Sequence, residues 1–293
     1  IYMDMQKPRQ PAPAKINLAL DILGRRPDGY HRMRMVMQTV SLCDTVTLEE
    51  APEGFTLSAR GIVIPDGKKS LEQRAAEAFF AALGRPMPSL RVSLEKKTPA
   101  FAGLGGGSAD VAALLRLLRE KYAPEMDRAE LEAIGGQIGS DMPFCVRGGT
   151  ALAEGRGEIL TDLPPLPDCR FVICKPDFDL PTPQMFARLR FEENRPRPNI
   201  DGMLAALKRR NLKDIADQVG NVFESALEPG ERRIIDGIKE TFFCHGALAA
   251  AMSGSGPSVF GVFTPQAGTE NILETLKHRY AQTFEAKPVS RLI

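Results

Sequence analysis

Four glycines, Gly103, Gly105, Gly106 and Gly107, fall within five residues of the run Pro99, Ala100, Phe101, Ala102, Gly103, Leu104, Gly105, Gly106, Gly107, Ser108, Ala109. Glycine turns the backbone at positive φ and lets a ligand approach with no Cβ in the way. An apolar-periodic helix follows, and a helix start carries free N–H groups and partial positive charge. A glycine-rich loop feeding such a start can hold a phosphate. The Walker A pattern is absent, because Gly107 is followed by Ser108 and Ala109 with no lysine. The dinucleotide fingerprint fails too, since Ser108 stands where its third glycine belongs. On the loop alone, a phosphate site and an ordinary turn capped by Ser108 stand level.

Other residues have types that suit chemistry at such a site. Lys15 and Asn17 share the polar side of an alternating stretch, where a lysine is most commonly a solvated strand residue and can also stabilise negative charge at a site. Asp141 lies in Gly139-Ser-Asp-Met-Pro143, a turn from which a carboxylate can project into a cleft; by itself it reads as an Asx-turn aspartate. Asp110, in the first helical turn after the loop, reads as electrostatic structure rather than catalysis. Tyr30 and His31 suit a flat heterocycle, one ring to stack and one to hydrogen-bond a polar edge. Taken alone, Tyr30 and Phe186 read first as packed core aromatics, and His245 and His278 as surface or structural residues.

The elements that position these groups follow from periodicity. Residues 14–22 alternate, with Ile16, Leu18, Leu20 and Ile22 on one face and Lys15, Asn17 and Asp21 on the other, which predicts a strand. Strand follows over 35–49. Residues 71–83 predict a helix that stops at Gly84. Leu90, Val92 and Leu94 alternate as a strand before the loop; Val111, Leu114, Leu115, Leu118 and Tyr122 recur at helical spacing after it. A short helix over 128–138 leads into the Asp141 turn, and strands are expected at 144–153 and 170–175. The stretch Leu163-Pro-Pro-Leu-Pro167 marks a boundary between domains 1–163 and 164–293. Residues 176–198 read as an ordered loop plus a variable insert. Helices are expected at about 200–220 and 229–242, then a second glycine turn, Ser253-Gly-Ser-Gly-Pro257, a strand over 257–263, a helix near 268–281 and a strand near 284–291. This order argues an α+β fold.

Composition narrows the function class. In 293 residues, 38 basic side chains face 37 acidic ones for a net charge of +1, so nothing pulls the chain globally toward nucleic acid or membrane. Hydrophobic residues at 43% and charged residues at 26% fit a globular enzyme. The five cysteines show no C-x-x-C spacing, so neither a metal site nor a disulfide framework is expected, and a reducing cytoplasm suits them. The opening IYMDMQKPRQ is too polar for a signal peptide, and translation is expected to start at Met3 or Met5.

Three segments stand in an order and spacing that resemble the GHMP kinase superfamily: Pro13-Ala-Lys-Ile-Asn-Leu, Gly103-Leu-Gly-Gly-Gly-Ser and Gly254-Ser-Gly256. Within it, Asp28-Gly-Tyr-His31, Gln38-Thr39, Gly139-Ser-Asp-Met-Pro143, Pro181-Thr-Pro183 and Asn221-Val-Phe-Glu224 resemble the 4-diphosphocytidyl-2-C-methyl-D-erythritol kinases, from about Ala12 to Phe263. The resemblance implies a ribosomal-protein-S5-type N-terminal domain and a ferredoxin-like C-terminal domain with ATP and acceptor between them. It implies transfer of phosphate from ATP, with Mg²⁺, to the tertiary 2-hydroxyl of the methylerythritol unit, in the mevalonate-independent isoprenoid route. In that scheme Pro99–Ala109 binds ATP, Ser108 adding its hydroxyl to a phosphate or to Mg²⁺. Asp141 is the general base with Lys15 beside it, and Asn17, Tyr30, His31, Thr182 and Phe186 bind an acceptor whose base is cytosine. The expected partner is a small molecule, with no nucleic acid and no membrane, and the protein is expected to be a monomer or weak homodimer. A GHMP kinase with a simpler, mevalonate- or homoserine-type acceptor is the alternative, against which Asp28-Gly-Tyr-His31 argues. A non-catalytic nucleotide sensor would be expected to lack Asp141 or Lys15. Two positions depart from the family: Ser70 where asparagine is common before a helix of the adenine pocket, and Val222 where an acidic residue is frequent.

Overall fold

The computed structural model describes residues 7–59, 69–190 and 197–293; the expected start at Met3 or Met5 and part of the 176–198 stretch lie outside these residues. Two strands open the chain, β1 (Arg9–Arg25) and β2 (His31–Glu50), followed by β3 (Phe55–Ala59), α1 (Leu71–Ala82) and β4 (Leu90–Glu95). Three helices come next, α2 (Gly106–Tyr122), α3 (Arg128–Ile138) and α4 (Met142–Arg147), then β5 (Thr150–Gly155) and β6 (Ile159–Asp162). Beyond the prolines lie β7 (Arg170–Cys174), α5 (Thr182–Arg188), α6 (Ile200–Arg209), α7 (Leu212–Ala216) and β8 (Gly220–Asn221). The chain continues with α8 (Pro229–Cys244), β9 (Ala249–Met252), β10 (Val259–Phe263), α9 (Glu270–Lys277) and β11 (Thr283–Ala286).

Two sheets result. The first runs β3-β4-β2-β1-β8, and β2 also pairs with β5, which pairs with β6. It is mixed: β3 with β4 and β1 with β8 are parallel, the rest antiparallel. The second sheet, β11-β7-β10-β9, is antiparallel throughout. One hydrophobic core joins α1 to α4 with the first sheet and continues to α8, while a second lies under α6, α7 and the other face of β7 and β10. No helix among the described residues is long and apolar enough to cross a membrane.

Local chemistry explains most boundaries. Ser70 caps α1, its hydroxyl accepting from the Gln73 N–H at 3.1 Å, and Gly84 at φ +63° ends the turn. Asp127 and Glu130 form a reciprocal capping box at α3. Where one helix is expected over 200–220, two form. Arg210 sits in the left-handed region at φ +53°, and Asn211 accepts from the Lys213 and Asp214 N–H groups to start α7. Residues 144–147, expected as strand, complete the short helix α4, because Pro143 favours a first helical turn. The final strand stops at Ala286, and the chain then runs along the first sheet through isolated bridges Val40–Pro288 and Gly148–Arg291.

The strand β1 departs most from simple alternation. The pairing shifts between Asn17 and Ala19, which oppose adjacent residues Met37 and Val36 of β2. Such a bulge inserts one residue and reverses which side chains share a face. Ile16 and Leu18 therefore belong to one core, and Leu20 and Ile22 to the other. The polar side chains are buried as well: Lys15 is 4% exposed and Asn17 fully enclosed.

Candidate active site

Lys15 is where the glycine loop, the Asp141 turn and the second glycine turn meet. Its backbone N–H donates to the Leu104 carbonyl at 2.9 Å, fixing the loop to β1. Its aliphatic stem lies under Gly105, where a Cβ would come within 2.9 Å of Lys15 Cγ and where φ is +67°. Only glycine meets both demands. The Lys15 ammonium donates to Asn17 Oδ1 at 2.8 Å and pairs with Asp141 Oδ2 at 3.3 Å. Asn17 is oriented in turn by its Nδ2, which contacts the Met35 sulfur at 3.2 Å.

Asp141 occupies the position before α4, yet its side chain makes no capping bond. The carboxylate is turned to Lys15 and keeps 31% of its surface open. A carboxylate that caps nothing, beside a buried ammonium at the edge of a glycine loop, is placed to accept a proton from a bound hydroxyl.

The glycine loop differs from expectation in one respect. The helix α2 starts at Gly106, with Gly105 as its cap residue, so Ser108 lies inside the first turn and caps nothing. The amides of Gly106, Gly107 and Ser108 are consequently the free N–H groups of the helix start. Asp110 faces inward, where Lys96 bridges it to Asp44, and Asp44 also accepts from the Lys97 and Thr98 N–H groups. Burial pushes the Asp110 carboxyl up to about 7 against the pull of Lys96. This cluster anchors the loop from beneath, in keeping with a structural role for Asp110.

The second glycine turn docks on the first. The Ser253 hydroxyl donates to the Gly103 carbonyl at 3.0 Å, and the Ser258 N–H donates to the Ala102 carbonyl at 3.3 Å. A Cβ on Gly103 would collide with the Ser253 carbonyl, and one on Gly254 would lie 3.4 Å from the Lys15 ammonium. From Ser255 the site continues outward. Its hydroxyl meets that of Thr182 at 2.8 Å, at the start of α5. One turn on, the Phe186 ring stacks on His31 at 4.5 Å and 20°, and meets Phe223 edge-on at 5.0 Å. Burial, then Arg25, hold the His31 imidazole below its ordinary value, favouring the neutral ring. Tyr30 is 56% exposed, so it is no core aromatic, and the Arg156 guanidinium lies over its ring at 5.0 Å.

Residues 70–149 match the GHMP kinases N terminal domain, and residues 203–282 match GHMP kinases C terminal. A 4-diphosphocytidyl-2-C-methyl-D-erythritol kinase of Clostridium botulinum (strain Kyoto / Type A2) is 35% identical, over 95% of this chain and 99% of its own. One from Lachnoclostridium phytofermentans is 39% identical over 88% of both chains. A crystal structure of 4-(cytidine 5'-diphospho)-2C-methyl-D-erythritol kinase superposes with a TM-score of 0.78 at 32% identity, covering 96% of this chain and 99% of its own. The chain belongs to this kinase family. Its fold is the two-domain GHMP kinase fold. A homoserine kinase from Cytophaga hutchinsonii, at 18% identity and a TM-score of 0.72, shares that fold.

Within this kinase, sequence reasoning nominated Lys15, Asn17 and Asp141, and the structure brings all three together. It joins Thr182, Phe186 and His31 into one row that leads to the β1–β2 turn of Tyr30. What it adds is the support of the second glycine turn. Asn221 donates to the Met252 and Gly254 carbonyls at 2.7 and 2.8 Å, and Glu224 accepts from the Met252 N–H at 2.8 Å. The Asn221-Val-Phe-Glu224 motif was visible in the sequence, but no spacing linked it to a turn thirty residues on.

Proposed function

We propose that this enzyme transfers the γ-phosphoryl group of ATP to the 2-hydroxyl of 4-diphosphocytidyl-2-C-methyl-D-erythritol, in mevalonate-independent isoprenoid biosynthesis. The observation that carries the mechanism is the Lys15–Asp141 pair at 3.3 Å, set between two interlocked glycine turns. The amides of Gly106–Ser108 hold phosphate oxygens. Asp141 takes the hydroxyl proton as the acceptor oxygen bonds to phosphorus and the bond to ADP breaks. Lys15 stabilises the charge on the transferring group. Asn17 orients Lys15. Tyr30, His31, Phe186 and Thr182 hold the cytidine far from the reacting oxygen, which spends remote binding on positioning.

Mg²⁺ would be held chiefly by the triphosphate, with the Ser108 hydroxyl as the loop's own oxygen donor and the Asp141 carboxylate kept for the proton; no group of three or more His, Cys, Asp or Glu is gathered for a metal among the described residues. Mg²⁺ keeps waters and binds chiefly through substrate phosphates, so one or two protein oxygens suffice. When bound it neutralises charge on the triphosphate. We further place the domain boundary at 163/164, and read the protein as a cytoplasmic monomer or weak homodimer with no nucleic-acid or membrane partner; five unpaired thiols support the compartment. An ADP-release assay over a panel of alcohols tests the function. The cytidylylated methylerythritol should be the preferred acceptor, and equal use of bare methylerythritol phosphate would move the assignment to a simpler-acceptor kinase.

A further inference from the structure

Phe101 is an aromatic residue that the fold has no packing reason to keep. Its backbone lies in the left-handed region at φ +50°, where an L side chain crowds the neighbouring carbonyl and glycine is the unstrained choice. Its ring is 77% exposed, more than any other large hydrophobic side chain among the described residues. The cost of the backbone conformation is thus not offset by burial. Strain of this kind persists where the surroundings over-determine it, and it clusters at ligand sites.

The surroundings do over-determine it. Upstream, the Lys97 and Thr98 N–H groups are held by Asp44. Downstream, Ala102 and Gly103 are bonded to Ser258 and Ser253 of the second glycine turn. The ring is therefore carried on a segment fixed at both ends, in the same loop that leads into α2 at Gly106. Beside Gly107 lies a second exposed apolar side chain: Leu71 is 39% exposed, and its Cδ1 is 3.9 Å from where a Gly107 Cβ would lie. The loop that carries the phosphate-binding amides thus bears one exposed apolar side chain and lies beside a second. A nucleotide triphosphate offers one flat apolar partner for such a surface, its base.

We propose that Phe101 stacks on the purine base of ATP and sets the preference for a purine nucleotide as phosphoryl donor. The proposal rests on the reading of Pro99–Ala109 as the triphosphate loop. Stacking tolerates any base with a π-face, so Phe101 adds affinity for ATP and GTP alike. It favours both over CTP, because a purine covers more of the ring. That bias has a use in an enzyme whose acceptor carries a cytosine, since it keeps the two bases at separate ends of the site.

The test is a set of substitutions at Phe101 read by calorimetry, steady-state kinetics and thermal melting. Phe101→Ala should raise KM for ATP and GTP by about tenfold, the scale of one base–aromatic stack, raise that for CTP less, and leave kcat and the acceptor KM unchanged. Phe101→Trp should restore ATP affinity. Phe101→Gly should lose the same ATP affinity while melting at or above the parent, because glycine relieves the left-handed strain. An unchanged KM for ATP in Phe101→Ala overturns the proposal. So does a rise in acceptor KM in place of ATP KM, or a fall in melting temperature of Phe101→Gly that tracks the loss of affinity. Gly107→Val separates the underlying reading. If it weakens ATP binding while Phe101→Ala does not, only the stacking proposal fails. If both bind ATP like the parent, the phosphate-loop reading fails with it.

Discussion

Gly103 and Tyr30, which the proposed scheme assigns to the same reaction, are held in opposite ways. Gly103 is locked: its carbonyl accepts from Ser253, and any side chain there would strike the Ser253 backbone. Tyr30 is open to water on a hairpin turn, shaped by Asp28 accepting from its N–H at 3.1 Å and by Arg26 paired with Asp28. The proposed nucleotide end is built from backbone, and the proposed acceptor end from side chains. A phosphate is a small anion of fixed shape, so amides at fixed positions suit it. A pyrimidine is a flat surface with polar edges, which rings such as Tyr30, His31 and Phe186 can cover by rotamer adjustment. Change at a locked position such as Gly103 should strain the fold, whereas change at the second end should alter which acceptor is used.

The comparison breaks most sharply between the two ends, at the base. Asp141→Asn should leave ATP and acceptor affinities near parent values and lower kcat by about two to four orders of magnitude. Single-turnover rates with calorimetry on the same variant check this, and near-parent turnover would remove Asp141 from the base role.

At the backbone-built end, Gly106→Val is an impure test, because its Cβ points inward to Thr98 Cγ2 at 3.1 Å and toward the Lys96 ammonium. Gly107 faces open space with only Leu71 near, so Gly107→Val probes the ligand side. It should weaken ATP binding by roughly ten- to a hundredfold, the loss of one or two charge-assisted hydrogen bonds, with the acceptor KM unchanged. Calorimetry with ATP decides it; unchanged affinity returns the loop to an ordinary turn.

At the side-chain end, Tyr30→Ala should lower kcat/KM for the cytidylylated acceptor by about tenfold and leave ATP binding and the melting temperature alone. A drop in melting temperature instead would show that the ring is structural. Thr182→Val should have the smallest effect, a few-fold rise in acceptor KM from the lost hydroxyl contact with Ser255, about 1 kcal/mol. A matching change in ATP KM would show that Ser255 belongs to the nucleotide end.

Local physics made part of this protein legible from its residues. Ser70 and Gly84 bracket α1, Asp127 opens α3, and the alternation of Leu90, Val92 and Leu94 is the burial pattern of β4. The glycine run named its own position, because steric freedom is a property of the residue itself. The start of α2 at Gly106 was harder to read. Ser108 is a good cap by type, but Gly105 in the left-handed region begins the helix before the serine is reached.

The remainder depends on which distant groups come together, and no local propensity encodes that. The bulge in β1 reverses Leu18 and Leu20 because β2 presents Met37 and Val36 in succession, a matter of partner register. Lys15 and Asp141 become a pair only when α4 packs across β1 and α2, and the second glycine turn becomes part of the site only when it bonds to Gly103. Residue types alone therefore determined where a phosphate could lie and which carboxylate was available. Tertiary packing decided that this carboxylate faces a buried lysine instead of capping its own helix, because burial leaves the ammonium little water and makes the nearest carboxylate its partner.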